Sequence, residues 1–342
     1  MIDTSVPKGH PETTSATPVL ALCGGVGGAK LALGLYRVLA PNALSLVINT
    51  GDDMEHLGLH ISPDIDTVTY TLADKNNPIT HWGRRDETWT FMEALDELGG
   101  ETWFSLGDKD LALHVERSRR LRHGEPMSKI TADVATAFNI SADLMPMSDD
   151  PVKTMVETTV GTLEFQDYFV RQQCEPAVKR IYFEGAEAAS TSPGLIEKFQ
   201  RDDLRAVIIC PSNPFLSVDP ILAVAGIRDA LKACAAPVIA VSPLIGGKAV
   251  KGPTAKIMKE LSIPSTALAI AEYYDGLIDG YVIDHADADI AQDMPVLTIV
   301  TKTMMETLDD RKALALETLA FADRLTLQNS AKNSSSMQQV KG

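Results

Sequence analysis

The chain has little cysteine, few aromatic residues, a shortage of positive charge and no long apolar run. Its four cysteines are Cys23, Cys174, Cys210 and Cys234. None stands in a Cys-x-x-Cys pair and no histidine cluster accompanies them, which argues against a disulfide framework and a zinc site. Cys23, Cys210 and Cys234 lie in apolar surroundings and read as small buried residues. Lysine and arginine number 31 against 46 acidic residues, a formal net charge of −15. Duplex nucleic acid is held by cations that neutralise its phosphates, so this balance argues against it as a partner. It leaves room for an anionic small molecule, because a site can be locally basic. No apolar stretch approaches the roughly 20 residues of a membrane span. Residues 1–17 are polar, with Pro7 and Pro11 and no apolar core, and read as a loose tail rather than a signal peptide. A cytoplasmic enzyme or binding protein is the expectation.

What is present is ample apolar residue, 45% of the chain, and a glycine cluster. Residues 22–30 read Leu-Cys-Gly-Gly-Val-Gly-Gly-Ala-Lys, between the apolar run 18–22 and a helix-like run 30–39. Glycine permits positive φ and close approach of the backbone to a ligand. A turn of this kind at a helix start points N–H groups outward, where they suit phosphate. A tight structural turn is the other reading. The cluster is not a Walker A loop, because Ala29 precedes Lys30 and Leu31 follows it. Nor is it a full dinucleotide fingerprint, of which it fits only the start.

One strand later the run 44–48 ends in Asn49-Thr50-Gly51-Asp52-Asp53, and Pro63-Asp64-Ile65-Asp66-Thr67 follows. Carboxylates of this kind could cap a helix or complete a turn, with Asp66 as the cap of a helix from Thr67. Beside a diphosphate, two or three hard carboxylate oxygens are also how Mg²⁺ is held. Two later strand ends carry comparable loops: Ser212-Asn213-Pro214 after 206–210, and Ser242 with Gly246-Gly247-Lys248 and Lys251-Gly252-Pro253 after 237–241. His56, His60, His81 and His114 show no ligand spacing and read as solvated or core. Trp82, Trp89 and Trp103 read as packing residues, with stacking on an aromatic substrate as the alternative. No Ser-His-Asp or Cys-His arrangement is visible, so the chemistry reads as electrostatic, with amides and metal stabilising charge as a P–O bond breaks.

Alternation of strands and helices predicts an α/β fold: a Rossmann-like, mostly parallel sheet with helices on both faces. The core is expected over 18–75 and 176–327, with a mainly helical insertion over 76–175 that covers the acceptor site. Residues 61–66 are expected as a loop, 220–234 as one helix, and 328–342, rich in Ser, Asn, Gln and Lys, as a disordered tail. Ligands of open α/β sheets sit beyond the carboxyl ends of the strands. Segments 23–30, 49–53, 211–214 and 242–252 fall there together.

With these residues assembled, the chain resembles the 2-phospho-L-lactate transferase family of coenzyme F-420 biosynthesis, from about Val19 to Leu325. The resemblance rests on the glycine cluster, Asn-Thr-Gly-Asp-Asp at 49–53, Ser-Pro-Asp-Ile-Asp-Thr at 62–67 and Leu-Gly-Asp-Lys-Asp at 106–110. It extends through Pro-Met-Ser-Asp-Asp at 146–150, Phe-Gln-Asp at 165–167, Pro-Ser-Asn-Pro at 211–214 and Ser-Pro-Leu-Ile-Gly-Gly at 242–247. It implies transfer of a 2-phospholactyl, enolpyruvyl phosphate or phosphoglyceryl group from a guanosine diphosphate ester. The acceptor would be the ribityl hydroxyl of the deazaflavin Fo (7,8-didemethyl-8-hydroxy-5-deazariboflavin), with GMP released, Mg²⁺ as cofactor and a homodimeric enzyme. Carried onto this chain, the donor would meet Gly24, Gly25, Gly27, Gly28, Lys30, Ser212, Asn213, Ser242, Gly246, Gly247 and Lys248. Asp52 and Asp66 would be the catalytic and metal residues, with Asp66 also on the acceptor. Relatives place an acceptor-contacting lysine where Ser105 stands here, and Lys109 or Arg119 are the nearby cations to replace it. The alternatives are a non-catalytic sugar-nucleotide-binding regulator of the gluconeogenesis-factor type and, disfavoured by the poor fingerprint, a nicotinamide-dependent dehydrogenase.

Overall fold

A computed structural model describes residues 16–250 and 252–339. Residues 1–15 of the expected N-terminal tail, Lys251 and 340–342 lie outside it. The chain opens with β1 (Val19–Cys23), α1 (Gly25–Val38) and β2 (Leu44–Ile48), then a hairpin of β3 (Met54–His56) and β4 (Leu59–Ile61). Helices α2 (Pro63–Leu72), α3 (Thr90–Glu97), α4 (Asp108–Arg122) and α5 (Met127–Ala137) follow, then β5 (Asp143–Pro146). Next come β6 (Lys153–Thr158), β7 (Gly161–Glu164), β8 (Val178–Glu184), α6 (Leu195–Phe199) and β9 (Ala206–Ile209). The remainder is α7 (Asp219–Ala223), α8 (Ile227–Ala233), β10 (Val238–Val241), β11 (Leu244–Ile245), β12 (Lys248–Ala249), α9 (Thr254–Glu260), α10 (Ala267–Tyr273), β13 (Gly280–Asp284), β14 (Leu297–Thr301) and α11 (Leu308–Gln339).

Seven strands form one sheet in the order β14-β13-β10-β9-β1-β2-β5, every pair parallel. Its strands are apolar on both sides because both faces are covered. In β1, Leu20 and Leu22 enter one core while Val19, Ala21 and Cys23 enter the other. The first core takes α7–α10 and the second takes α1, α2, α5 and α11. The chain leaves β1 first toward β2 and β5, then returns to β9 and continues to β14, so the strand order reverses between β1 and β9. That switch point opens a crevice at the carboxyl ends of the strands.

Several local expectations change. The glycine cluster is not a loop ahead of a helix: α1 starts at Gly25 and contains it. Residues 61–66 are the end of β4 and the first turn of α2, where Pro63 supplies the fixed φ and missing N–H that suit a helix start. The expected helix 220–234 breaks into α7 and α8 at Gly226, whose φ of 89° no right-handed helix accommodates. The insertion holds α3, α4 and α5 together with strands. β5 belongs to the main sheet beside β2, and β6–β8 make a separate antiparallel sheet whose β6 alternates toward and away from the core. At the far end α11 runs on to Gln339 through the expected disordered stretch, which has no Gly or Pro before Gly342 to stop it. Among the described residues no helix is long and apolar enough to cross a membrane.

Candidate active site

A cavity of about 610 Å³ opens at the switch point. Gly24, Gly25, Gly27, Lys30, Asp52, Asp66, Ser105, Ser212, Asn213 and Ser242 all line it. Residues distant in sequence are brought there by the strand ends that carry them.

The glycine wall is built by packing as much as by ligand access. Gly25 has φ of 63°, which turns the chain from β1 into α1 at little steric cost. A Cβ on Gly27 would stand 2.4 Å from the Pro211 carbonyl oxygen, and one on Gly28 would stand 2.4 Å from Ser212 Oγ. Ser212 Oγ donates to Gly24 O (2.8 Å) and accepts from Gly24 N (3.1 Å), so it ties β9's loop to β1's. Asn213 caps the turn that follows it, accepting from Phe215 N and Leu216 N through its side chain. Gly28 therefore serves the seam and does not line the cavity.

Asp64, given no role in the sequence reading, completes this wall. It lies in the first turn of α2, and its Oδ1 accepts from Gly25 N at 2.5 Å. Its Oδ2 accepts from Asn49 Nδ2 (3.0 Å), and the same amide nitrogen donates to Asp52 Oδ1 (3.1 Å). Asn49 is itself fixed by its Oδ1, which accepts from Gly51 N at 2.8 Å. One buried amide thus gathers two buried carboxylates under the start of α1. Burial first, and then the charges of Asp64 and Asp53, push the Asp52 carboxyl well above its ordinary value. Burial pushes Asp64 up to about 6, against the hydrogen bonds from Asn49 and Gly25. Lys30 is the one lysine or arginine among the described residues that line the cavity, and its Nζ donates to Met305 O at 3.0 Å.

Asp66 stands in a different setting. Both its oxygens take the Arg117 guanidinium, Nη1 to Oδ2 at 3.1 Å and Nη2 to Oδ1 at closer range. Arg117 is buried, and burial opposes its charge, but the charge and hydrogen bond of Asp66 together with Tyr70 and Asp53 outweigh burial and raise its pKa. His114 lies beside the pair, Nδ1 at 3.6 Å from Asp66 Oδ2, with Nε2 at 3.4 Å from Asp110 Oδ1. Tyr70 donates its hydroxyl to the same Asp110 oxygen at 2.6 Å. Burial opposes the Asp110 charge, but His114, Tyr70 and Arg117 outweigh it and hold that carboxyl below its usual range. Asp66, Asp110 and His114 come close enough together to form a potential metal cluster. The guanidinium on both oxygens of Asp66 already supplies the positive charge a cation would bring. Asp110, His114 and Arg117 were missed in the sequence, although their i, i+4, i+7 spacing places all three on one face of α4.

The opposite wall is aromatic, with Trp82, Trp103, Phe104, Phe165 and Phe169 lining it beside Ser105. Phe165 and Phe169 stack at 5.2 Å, and Arg171 covers the Trp103 ring at 4.4 Å. Lys109 and Arg119, the expected substitutes near Ser105, do not line the cavity. Lys109 Nζ donates to the carbonyl of Asp86, and Arg119 pairs with Glu116 at the surface. The loop after β10 also divides. Ser242 lines the cavity, whereas Gly246 and Gly247, both with positive φ, turn the hairpin from β11 to β12, and Lys248 is exposed on β12. Gly246 N donates to Asp287 at 2.9 Å, which fixes that turn from behind.

Residues 19–314 match the family described as 2-phospho-L-lactate transferase CofD. The chain belongs to this family. A 2-phospho-L-lactate transferase of Methanosarcina acetivorans is 39% identical, over 79% of this chain and 86% of that protein. Another, of Methanocaldococcus jannaschii, is 37% identical, over 90% and 99%. A phosphoenolpyruvate transferase of Streptomyces coelicolor is also 37% identical, over 90% and 98%. A Bacillus halodurans UPF0052 family crystal structure has a TM-score of 0.59 at 16% identity, covering 89% of this chain and 99% of that one, and shares the fold. The glycine wall, the Asp52–Asp64 pair, the α4 face and the aromatic rings line one cavity, and Gln166, next to Phe165, donates to Asp52 O at 3.3 Å, which joins the aromatic side to the acidic one.

Proposed function

We propose that this protein transfers a phosphorylated small acid from a guanosine diphosphate ester to the ribityl hydroxyl of the deazaflavin Fo, releasing GMP, in coenzyme F-420 biosynthesis. The observation that carries this reading is the lining of one cavity by both kinds of group. A helix start and buried carboxylates suit a metal-bound diphosphate, and aromatic rings lining the same cavity suit a planar tricycle. The names of the family and its relatives support the same chemistry.

Mg²⁺ fits the residues present. Asp52 and Asp64 offer hard oxygen ligands, and burial pushes both toward the neutral form. These two, rather than Asp52 with Asp66, would hold the ion. When bound it would neutralise diphosphate charge and favour departure of the nucleotide. The chain's own groups do the rest. The amides at the start of α1 hold donor phosphate oxygens, and Asn49 keeps Asp52 and Asp64 in register. The loops at 211–213 and 242–245 flank the guanosine, and the aromatic wall orients the deazaflavin. The hydroxyl oxygen bonds to the phosphorus that carries the acid. The bond from that phosphorus to the bridging oxygen breaks, and its electron pair leaves on GMP.

The family relatives divide between 2-phospho-L-lactate and phosphoenolpyruvate transferases at matching identity. The test is therefore incubation with Fo, Mg²⁺ and each of the lactyl, enolpyruvyl and glyceryl donors, read as GMP release and product mass. One donor should give a phosphodiester of Fo. No GMP from any donor would remove this function, and tight sugar-nucleotide binding without turnover would establish the regulator in its place. The same reading includes a cytoplasmic homodimer, which light scattering of the purified chain tests for assembly.

A further inference from the structure

Four aspartates line the cavity: Asp52, Asp64, Asp66 and Asp110. The first two are drawn to one amide under the glycine wall, and both oxygens of Asp66 are taken by Arg117. Asp110 differs from all three. It is the one not fully buried, with its side chain 14% exposed. The contacts it makes fall on Oδ1, from Tyr70 and beside His114, which leaves Oδ2 without a hydrogen bond from the described residues. It sits at the start of α4, directly after the segment 103–105 that supplies part of the aromatic wall.

His114 explains how this carboxylate is aimed. Arg117 Nη1 lies 3.5 Å from His114 Nδ1. A guanidinium can only donate, so where this nitrogen accepts from it, with Asp66 Oδ2 3.6 Å away, the ring proton sits on Nε2. Nε2 is buried and without a hydrogen-bond partner, although Asp110 Oδ1 is 3.4 Å away, because the alignment is poor. Closing that bond would take a rotation of the Asp110 carboxyl. Catalytic hydrogen bonds are often long in an empty site and tighten in the complex.

We propose that Asp110 is the carboxylate that receives the hydrogen bond of the incoming acceptor hydroxyl, with His114 and Tyr70 as positioning residues and Asp66 as a structural partner of Arg117. The inference rests on the deazaflavin-transferase reading. As the new P–O bond forms, the hydroxyl proton passes to Asp110 and on to water, while the electron pair of the breaking P–O bond leaves with GMP.

Steady-state turnover by the full chain, with Fo, Mg²⁺ and the donor mixture, tests this together with Fo fluorescence titration. Asp110→Asn should lower kcat by about 100-fold, the lower end of general acid–base contributions, while the Kd for Fo and the donor KM stay within about threefold of wild type. His114→Gln, whose terminal nitrogen reaches the place of Nε2, should retain kcat within about fivefold, and the shorter His114→Asn should fall with Asp110→Asn. If Asp110→Asn does not fold, Tyr70→Phe should lower kcat without moving the Fo Kd. Wild-type kcat in Asp110→Asn, or in Tyr70→Phe where that variant stands in, overturns the proposal. Equal impairment of the Gln and Asn variants overturns the part given to His114. Failure of the transferase reading is distinct, because wild type itself then releases no GMP.

Discussion

Two acidic clusters sit in the walls of one cavity, and they solve burial in opposite ways. Asp52 and Asp64 share a neutral amide, have no buried arginine or lysine among their hydrogen-bond partners, and are pushed toward protonation. Asp66 and Asp110, on α2 and α4, are surrounded by Arg117, His114 and Tyr70, and Asp110 is held below its usual range. Burying an unpaired charge is expensive, and a site that does so is poised for an ion arriving with its substrate. A buried charge matched by a guanidinium needs no such ion and can orient a neutral hydroxyl. Residue type alone does not separate the two clusters. Their partners do.

The comparison breaks most sharply at Arg117. Arg117→Ala strands the buried Asp66 carboxylate and should cost about 3–5 kcal/mol of stability by urea denaturation, the usual cost of breaking a buried pair from one side. Pairing it with Asp66→Asn should recover much of the loss. At the other cluster the same kind of change should have the reverse sign. Asp64→Asn or Asp52→Asn should raise the Tm of the metal-free protein while lowering turnover at least about 100-fold, because a metal contact is lost as a repulsion is relieved. A fall in metal-free Tm with activity retained would contradict the assignment.

The pH dependence of the metal-free protein sharpens the contrast further. Asp64 is raised from 3.8 to about 6 in the folded state, so the native protein binds more protons than the unfolded chain between those values. Its contribution is fully present below the unfolded value and is lost as pH rises through about 6, a change of at most about 3 kcal/mol. Urea midpoints of the metal-free protein should decline across this window, Asp64→Asn should flatten the decline, and saturating Mg²⁺ should oppose it. The smallest effect belongs to the aromatic wall. Trp103→Ala should weaken Fo binding about 10-fold, the loss of roughly 1–1.5 kcal/mol of ring packing, with the Mg²⁺ requirement unchanged. Fluorescence titration reads the first and Mg²⁺-dependent turnover the second.

Much of this architecture was legible from local pattern. The apolar runs at 19–23, 44–48, 206–209 and 238–241 are strands, and the runs near 108–122 and 127–137 are helices, because period and length identify them before any packing is known. The errors fell where a single residue or a distant partner decides. Gly226 divides one expected helix by its backbone angle, and β5 joins the main sheet because β2 leaves its edge open beside it. Gly28 packs against Ser212 and does not line the cavity, whereas Ser212 both closes that seam and lines the cavity. Lys248 looks like an anion ligand yet faces solvent.

By itself the sequence determined that strands would end in glycine, aspartate, serine and asparagine at one side of a parallel sheet. It also carried the motifs that place the chain in its family, because strand alternation and motif spacing are properties of the chain alone. Only the tertiary structure decided which carboxylate meets which partner. Asp64 meets Gly25 because the starts of α1 and α2 converge, Asp66 meets Arg117 because α4 packs over β4 and reaches α2, and Asp110 keeps one oxygen free because Tyr70 and His114 occupy the side of the other. Charge, burial and hydrogen-bond direction are properties of neighbours. Four aspartates that are alike in sequence therefore take different parts once the chain has folded around them.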